Sequence, residues 1–144
     1  MVQAPIEAKL LLVELQNAHQ NLLIAIKDLD AVTRELLPIR DRIIDCRWKI
    51  SRASLARRTL WNRIYEYLSD GRSELGNAEL RRLQEGDRAL LRSSSEHVSE
   101  WKIDVVIKDW PRYCAASNAI RWKMKAAIGM ETRILYPMLR AHAT

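Results

Sequence analysis

Apolar residues recur at three- and four-residue spacing in four long segments of this 144-residue chain, and this period constrains the fold more than any other feature. Glycine and proline, which interrupt helices, number only four each, and β-branched residues form no alternating runs. The pattern predicts an all-α protein in which each segment is an amphipathic helix. The clearest helix ends before Pro38, and its predicted inward residues are Leu11, Leu15, Ala18, Leu22, Ala25, Leu29, Val32 and Leu36.

The other three helices are placed by the same period and by turn signals. We predict the second at about 39–68, ending at the sequence SDG, and the third at about 77–110, with a break near Gly86 left open. Pro111 suits the first turn of the fourth helix, which Pro137 is expected to kink or end. The predicted inward residues are Ile43, Cys46, Ile50, Ala53, Leu60 and Ile64, then Leu80, Leu83, Leu90, Trp101 and Val105, then Tyr113, Ile120, Met124, Ala127, Ile134 and Met138.

Charge alternates in sign from one segment to the next. Residues 1–38 carry three basic and five acidic groups, and 39–72 carry nine and four. Residues 73–110 carry six and eight, and 111–144 carry six and one. Alternation favours an up-down-up-down four-helix bundle, because each helix then lies between helices of opposite charge. It also weakens the case for nucleic-acid binding, since much of the basic charge would face acidic neighbours.

Length and motifs bound the class of protein. The chain is long enough to form one domain, 1–144, with a core that needs no disulfide or metal. Cys46 and Cys114 have no CxxC spacing, and the N-terminal apolar stretch contains acids, so we expect a soluble, cytoplasmic chain with reduced thiols and no membrane contact. Glycine-rich phosphate loops and paired zinc-binding cysteines are absent from the sequence, and we expect no enzyme activity.

Glu131 is the most informative polar residue, because it is the only acid after Asp109 and lies in an apolar helix face. Its neighbours three and four residues away are apolar, so a partner must come from another helix. Candidates are Arg57, His97 and His19. Three roles remain open for Glu131: an edge carboxylate that reaches solvent, a buried pair with Arg57 or His97, or a metal ligand.

The order of the helices and two motifs resemble the hemerythrin-like domains. These motifs are AHQNLLIAI around His19 and ExxxLYPML beginning at Glu131. The resemblance implies a four-helix bundle, which in that family usually holds a carboxylate-bridged di-iron centre and binds oxygen or senses redox state. Glu131 matches the family's ligand glutamate, and Leu135, Tyr136 and Pro137 match the tripeptide that closes the last helix.

Most of the family's metal ligands are missing. Ala127 stands where the last helix should carry a histidine, and Ala56 and Leu60 stand where the second helix should carry a ligand pair. The chain has only three histidines, too few for the di-iron centre that the resemblance implies. We therefore expect no cofactor. The alternative is a reduced iron site for oxygen or redox sensing, with the ligands His19, His97 and Glu131.

The function expected from these observations is a non-enzymatic regulatory or protein-interaction module. It would act through an unknown protein partner or through self-association. The basic second helix offers a second alternative, nucleic-acid binding, because aromatics among basic residues can bind single strands. In either case the predicted surface is formed by Trp48, Arg52 and Arg58.

Overall fold

The structure, a computed structural model, describes residues 3–69 and 74–144, with side chains from 6–69 and 77–144. The described ranges contain five helices and no strand, which confirms the all-α prediction. None of these helices is long and apolar enough to cross a membrane. The predicted turn at SDG begins at Ser69, and its other two residues lie outside the described residues. The helices are α1 (Gln3–Thr33), α2 (Arg40–Ser69), α3 (Glu74–Glu100), α4 (Ile103–Lys108) and α5 (Trp110–Ala143).

Helix α1 packs along both α2 and α5, whereas α3 packs mainly along α5 and less extensively on α2. Contacts between α1 and α5 progress in opposite directions along the two helices. His19 contacts Glu131, and Asp30, further along α1, contacts Arg121, which is earlier in α5. The two helices are therefore antiparallel, with α1 at the centre of the best-packed part of the molecule.

The buried apolar side chains form two clusters. The first includes Tyr113 and Trp110, and the second includes Trp61 and Leu135. Burying each such side chain contributes about 1.5–3 kcal/mol, so the two clusters supply most of the driving force for folding. Three of the buried polar residues, His19, Arg57 and Glu131, lie where the clusters meet: on α1, for example, His19 lies between Leu15 of the second cluster and Leu22 of the first.

Helix α3 is shorter than predicted. It ends at Glu100, the chain extends at Lys102 (φ −65°, ψ 153°), and α4 begins at Ile103. The bend leaves the Trp101 ring edge-on to Tyr113, with 5.7 Å between the ring centroids. It also changes which side chains face inward, so that the exposed fraction is 0% for Val106 and 42% for Val105. The predictions of a continuous helix to 110 and of an inward Val105 are wrong.

Three further boundaries differ from or refine the sequence predictions. Leu36 is 93% exposed, contrary to prediction, because α1 ends at Thr33, whose hydroxyl donates to the Leu29 carbonyl. Helix α3 passes through Gly86 without a break, and α5 continues through Pro137 to Ala143. Pro137 therefore does not end the last helix.

The inward face of α5 differs from an apolar-only pattern. Ile120, Ala127, Ile134 and Met138 are only half-buried, although all four were predicted to face inward. The buried stripe includes polar side chains, which an apolar pattern leaves out. Its members are Trp110, Tyr113, Ser117, Arg121, Met124, Ile128, Glu131, Leu135 and Leu139.

The bend before α4 predicts opposite outcomes for two adjacent valines. Val106→Ala should lower the free energy of unfolding by about 2 kcal/mol, because it removes buried methyl groups and leaves a cavity. Val105→Ala, the matched control, should change it by about 0.5 kcal/mol or less. Urea unfolding followed by circular dichroism measures both. A larger loss for Val105→Ala would show that the register of α3 continues past Trp101.

Candidate functional site

Glu131 is buried, with an exposed fraction of 1%, and both of its carboxylate oxygens have partners. His19 Nε2 lies 2.6 Å from Oε1. Arg57 donates from Nε to Oε1 at 3.1 Å and from Nη2 to Oε2, so the guanidinium grips the carboxylate as a fork. Such bidentate, charge-assisted pairs are the strongest hydrogen bonds in proteins. Glu131 is therefore a paired core residue and not the exposed edge carboxylate that was one sequence alternative.

Three helices position Glu131 and its two partners. His19 comes from α1, Arg57 from α2 and Glu131 from α5, and each lies on the buried stripe of its helix. A charge at such a position requires a partner, because burying an unpaired ion costs far more than burying a neutral group. These contacts therefore form only when the three helices pack in register. Asp87 contacts Arg57, and Tyr136 contacts His19. We call the five residues His19, Arg57, Asp87, Glu131 and Tyr136 the Glu131 cluster.

Asp87 connects the cluster to α3. Its Oδ1 lies 2.9 Å from Arg57 Nη1, as an ion pair and not as an aligned hydrogen bond. Burial lowers the pKa of the Arg57 guanidinium, but the charge of Glu131, its hydrogen bonds and the charge of Asp87 outweigh burial and raise that pKa above its ordinary value. Arg57 therefore stays cationic in the core.

Tyr136 completes the cluster on the other side of His19. The Tyr136 hydroxyl lies 2.7 Å from His19 Nδ1, and the two rings stack with their centroids 5.6 Å apart. With a neutral imidazole, Nε2–H donates to Glu131 and the Tyr136 hydroxyl donates to Nδ1. Burial raises the pKa of Tyr136, and the nearby Glu131 charge adds to that rise. Both nitrogens of His19 are thus occupied by protein groups.

His97 lies in a different environment. It is half-buried on α3 and stacks on Tyr113, with 5.8 Å between the ring centroids. Burial, followed by the charges of Arg47 and Arg121, lowers the pKa of His97 to about 4, so its imidazole is neutral near pH 7. His97 is not among the partners of Glu131.

The structure therefore brings Arg57 and His19 to Glu131 but leaves His97 apart from them. Within residues 3–69 and 74–144, no group of three or more His, Cys, Asp or Glu side chains could hold a metal ion. Of the residues proposed for a reduced iron site, only His19 and Glu131 are in contact.

A second buried cation was missed by the sequence reasoning. Arg121 donates from Nε to the Ser117 carbonyl at 3.2 Å and from Nη1 to Asp30, and Lys125 Nζ lies 3.4 Å from the same carboxylate. The spacing held the signal: Arg121 follows Ser117 by four residues and precedes Met124 by three, on the same stripe. Asp30 on α1 is the partner that makes its burial tolerable.

Of the three α2 residues predicted to form a partner surface, two are exposed and one is half-buried. Trp48 is 57% exposed, and the Arg52 guanidinium lies over its ring at 4.7 Å, a cation–π contact. Arg58 is half-buried instead. No ion pair joins Arg47, Arg52 or Arg58 to the part of the chain that the structure describes.

No protein-family model, curated protein or solved structure matches the chain. The resemblance to hemerythrin-like domains therefore stays a prediction from the residues quoted above.

The Glu131 cluster predicts strongly non-additive stability. Arg57→Met should lower the free energy of unfolding by about 3–5 kcal/mol, because it leaves Glu131 charged and buried without its main partner. Adding Glu131→Gln should restore much of that loss, since the amide keeps an acceptor for His19 but carries no charge. Urea unfolding of the two single variants and the double variant at pH 7 measures the coupling.

The exposed pair Arg63–Glu14 (3.1 Å) provides the control, because it is also an arginine–glutamate pair between two helices, in this case α2 and α1. Arg63→Met should cost about 0–1 kcal/mol. If the Arg57→Met/Glu131→Gln double variant loses as much free energy of unfolding as the two single variants together, Arg57 and Glu131 do not act as a pair.

Proposed function

We propose that this chain is a non-enzymatic binding module. In this proposal the four long helices form an up-down-up-down bundle of hemerythrin-like type, in which the Glu131 cluster stands in place of a di-iron centre. The module acts in regulation by docking a protein partner. The observation that carries the proposal is that the one carboxylate matching a family ligand is held inside the protein by Arg57 and His19.

The chemistry of Glu131 supports this reading. A metal ion at Glu131 would have to displace the Arg57 guanidinium, leaving a buried cation beside another cation. It would also have to take Nε2 of His19 from its carboxylate partner. The neutral groups at the family's other ligand positions, Ala127 and Leu60, supply no replacement donors. The cluster is thus suited to fixing the helices and not to exchanging a ligand.

The docking surface that we propose follows α2. Ile44, Trp48 and Leu55 are exposed apolar side chains at four- and seven-residue spacing, so they share one helix face. Arg52 covers the Trp48 ring. Exposed aromatic residues together with arginine are typical of interface centres. Arg47, Arg52 and Arg58 have no ion-pair partner among the described residues. The surface therefore favours an acidic protein over a second copy of itself.

Metal content separates the leading proposal from retained iron chemistry. Protein purified without chelators should contain iron well below one ion per chain, because Glu131 and His19 are engaged with protein groups. Elemental analysis by mass spectrometry measures the ratio. Stoichiometric iron that is lost in Glu131→Gln or His97→Ala would overturn the proposal and favour the site of His19, His97 and Glu131.

Binding to a model acidic polypeptide tests the docking surface. Poly-L-glutamate should bind with an affinity that falls as salt rises, and Arg52→Gln should weaken binding about two- to fivefold. Trp48→Ala should weaken it as well. Trp122→Ala is the matched control, because Trp122 is a 66% exposed tryptophan on α5 with its own nearby cation, Lys125. Fluorescence anisotropy measures all four proteins.

Four outcomes would contradict the acidic-protein proposal. One is the failure of poly-L-glutamate to bind at low salt, and another is an equal loss of affinity in Trp122→Ala and Trp48→Ala. Tighter binding of oligo(dT) with the same dependence on Arg52 would favour nucleic-acid binding instead. A dimer in light scattering that Trp48→Ala dissociates would assign the surface to self-association.

A further inference from the structure

A cavity of about 790 Å³ opens between α2, α3 and α5, beside the first apolar cluster. We call it the Tyr113 pocket. Its volume lies within the range of small-molecule sites. None of the five residues of the Glu131 cluster lines it, so its chemistry is separate from that of the buried ion pairs.

The lining of the Tyr113 pocket is positively charged. It contains four cationic side chains and no carboxylate. Asp30 balances the charge of Arg121, but the other three cations have no ion-pair partner among the described residues. By contrast, the groove of about 890 Å³ between α3 and α5 is also lined by Glu79, Asp87 and Glu131. The unbalanced cations of the Tyr113 pocket are Arg47, Arg58 and Lys102.

The pocket also holds a buried hydroxyl in need of a partner. Tyr113 is 0% exposed, and its hydroxyl has no well-formed hydrogen bond to any of the described residues. Burial raises the pKa of Tyr113, and the nearby Ser117 hydroxyl and the charges of Arg47 and Arg121 lower it only in part. The phenol is therefore a neutral donor near pH 7. The Arg47 guanidinium lies over the Tyr113 ring, 5.7 Å from its centroid, so a cation stacks on the ring that carries this hydroxyl.

Apolar side chains form the rest of the wall. Leu29, Ile50 and Met124 belong to the buried core and contribute the floor. Ile44, Trp48 and Val98 are exposed lining residues, so they form the mouth. A ligand that fits this lining combines one anionic group with an apolar body, because each part then meets its complement.

We propose that the Tyr113 pocket binds a small organic anion, a carboxylate carried on an apolar body. Arg47 and the Tyr113 hydroxyl hold the carboxylate, and the apolar body packs on Leu29, Ile50 and Met124. This site goes beyond the docking function proposed above. The Tyr113 pocket shares Ile44 and Trp48 with that docking surface. Decanoate tests the pocket and poly-L-glutamate tests the surface, so either proposal can fail without the other.

Isothermal titration of three probes tests the proposal. Decanoate should bind one site per chain at least about tenfold more tightly than decanol, which has the same body without the charge. Acetate, which has the charge without the body, should bind too weakly to measure. Arg47→Gln should weaken decanoate binding about tenfold. Arg40→Gln is the matched control, an exposed arginine of the same helix outside the pocket, and should leave affinity unchanged.

Tyr113→Phe separates a ligand contact from a structural role. Removing the unpartnered hydroxyl should leave the free protein equally or more stable, while decanoate binding weakens severalfold. Equal affinities for decanoate and decanol, or equal losses in Arg47→Gln and Arg40→Gln, would overturn the proposal. So would association with vesicles of an anionic phospholipid without any binding of free decanoate, since this would assign the cations to a membrane surface.

Discussion

The pairing of Glu131 with Arg57 and His19 is the interaction on which the packing of the other elements depends. A carboxylate 1% exposed cannot remain charged in the core without cations or donors placed around it. Those donors come from α1 and α2, and the carboxylate comes from α5. Apolar clusters tolerate small shifts of one helix along another, whereas a bidentate fork does not. The cluster therefore fixes the register of three helices.

Helix α3 is attached differently from the other long helices. Its link to the Glu131 cluster is the ion pair of Asp87 with Arg57, and it contacts α2 less extensively than α1 does. Both large cavities of the described residues border α3. The best-packed part of the molecule is thus α1, α2 and α5, and the two large cavities lie where α3 meets these helices.

The sequence was sufficient for the class of fold and for the identity of the main polar residues. The period of apolar residues predicted the all-α class, and the lack of a cation beside Glu131 on its own helix pointed to Arg57, His97 and His19 on other helices. The structure places two of these three, Arg57 and His19, at Glu131. The sequence could not predict the bend at Trp101, because no glycine or proline marks it and the contact with Tyr113 that accompanies it is distant in sequence. It also missed Arg121, since apolar periodicity treats a charged residue on the stripe as an interruption, although Asp30 lies close enough in the fold to pair with it.

The alternating charges of the segments explain the ion pair of Asp87 with Arg57, which joins acidic α3 to basic α2, but they do not explain the Tyr113 pocket. Between acidic α3 and its two basic neighbours, charge alternation would place carboxylates against Arg47 and Arg58. The face of α3 that lines this pocket instead carries the hydroxyl groups of Ser94, Ser95 and Ser99 and the neutral His97. Glu96 and Glu100 are exposed elsewhere on that helix. Charge compensation is thus present at the middle of α3, through Asp87, and missing toward its C-terminal end. An uncompensated cationic pocket costs stability through repulsion between its cations, and an anionic ligand would remove that cost by supplying the missing charge.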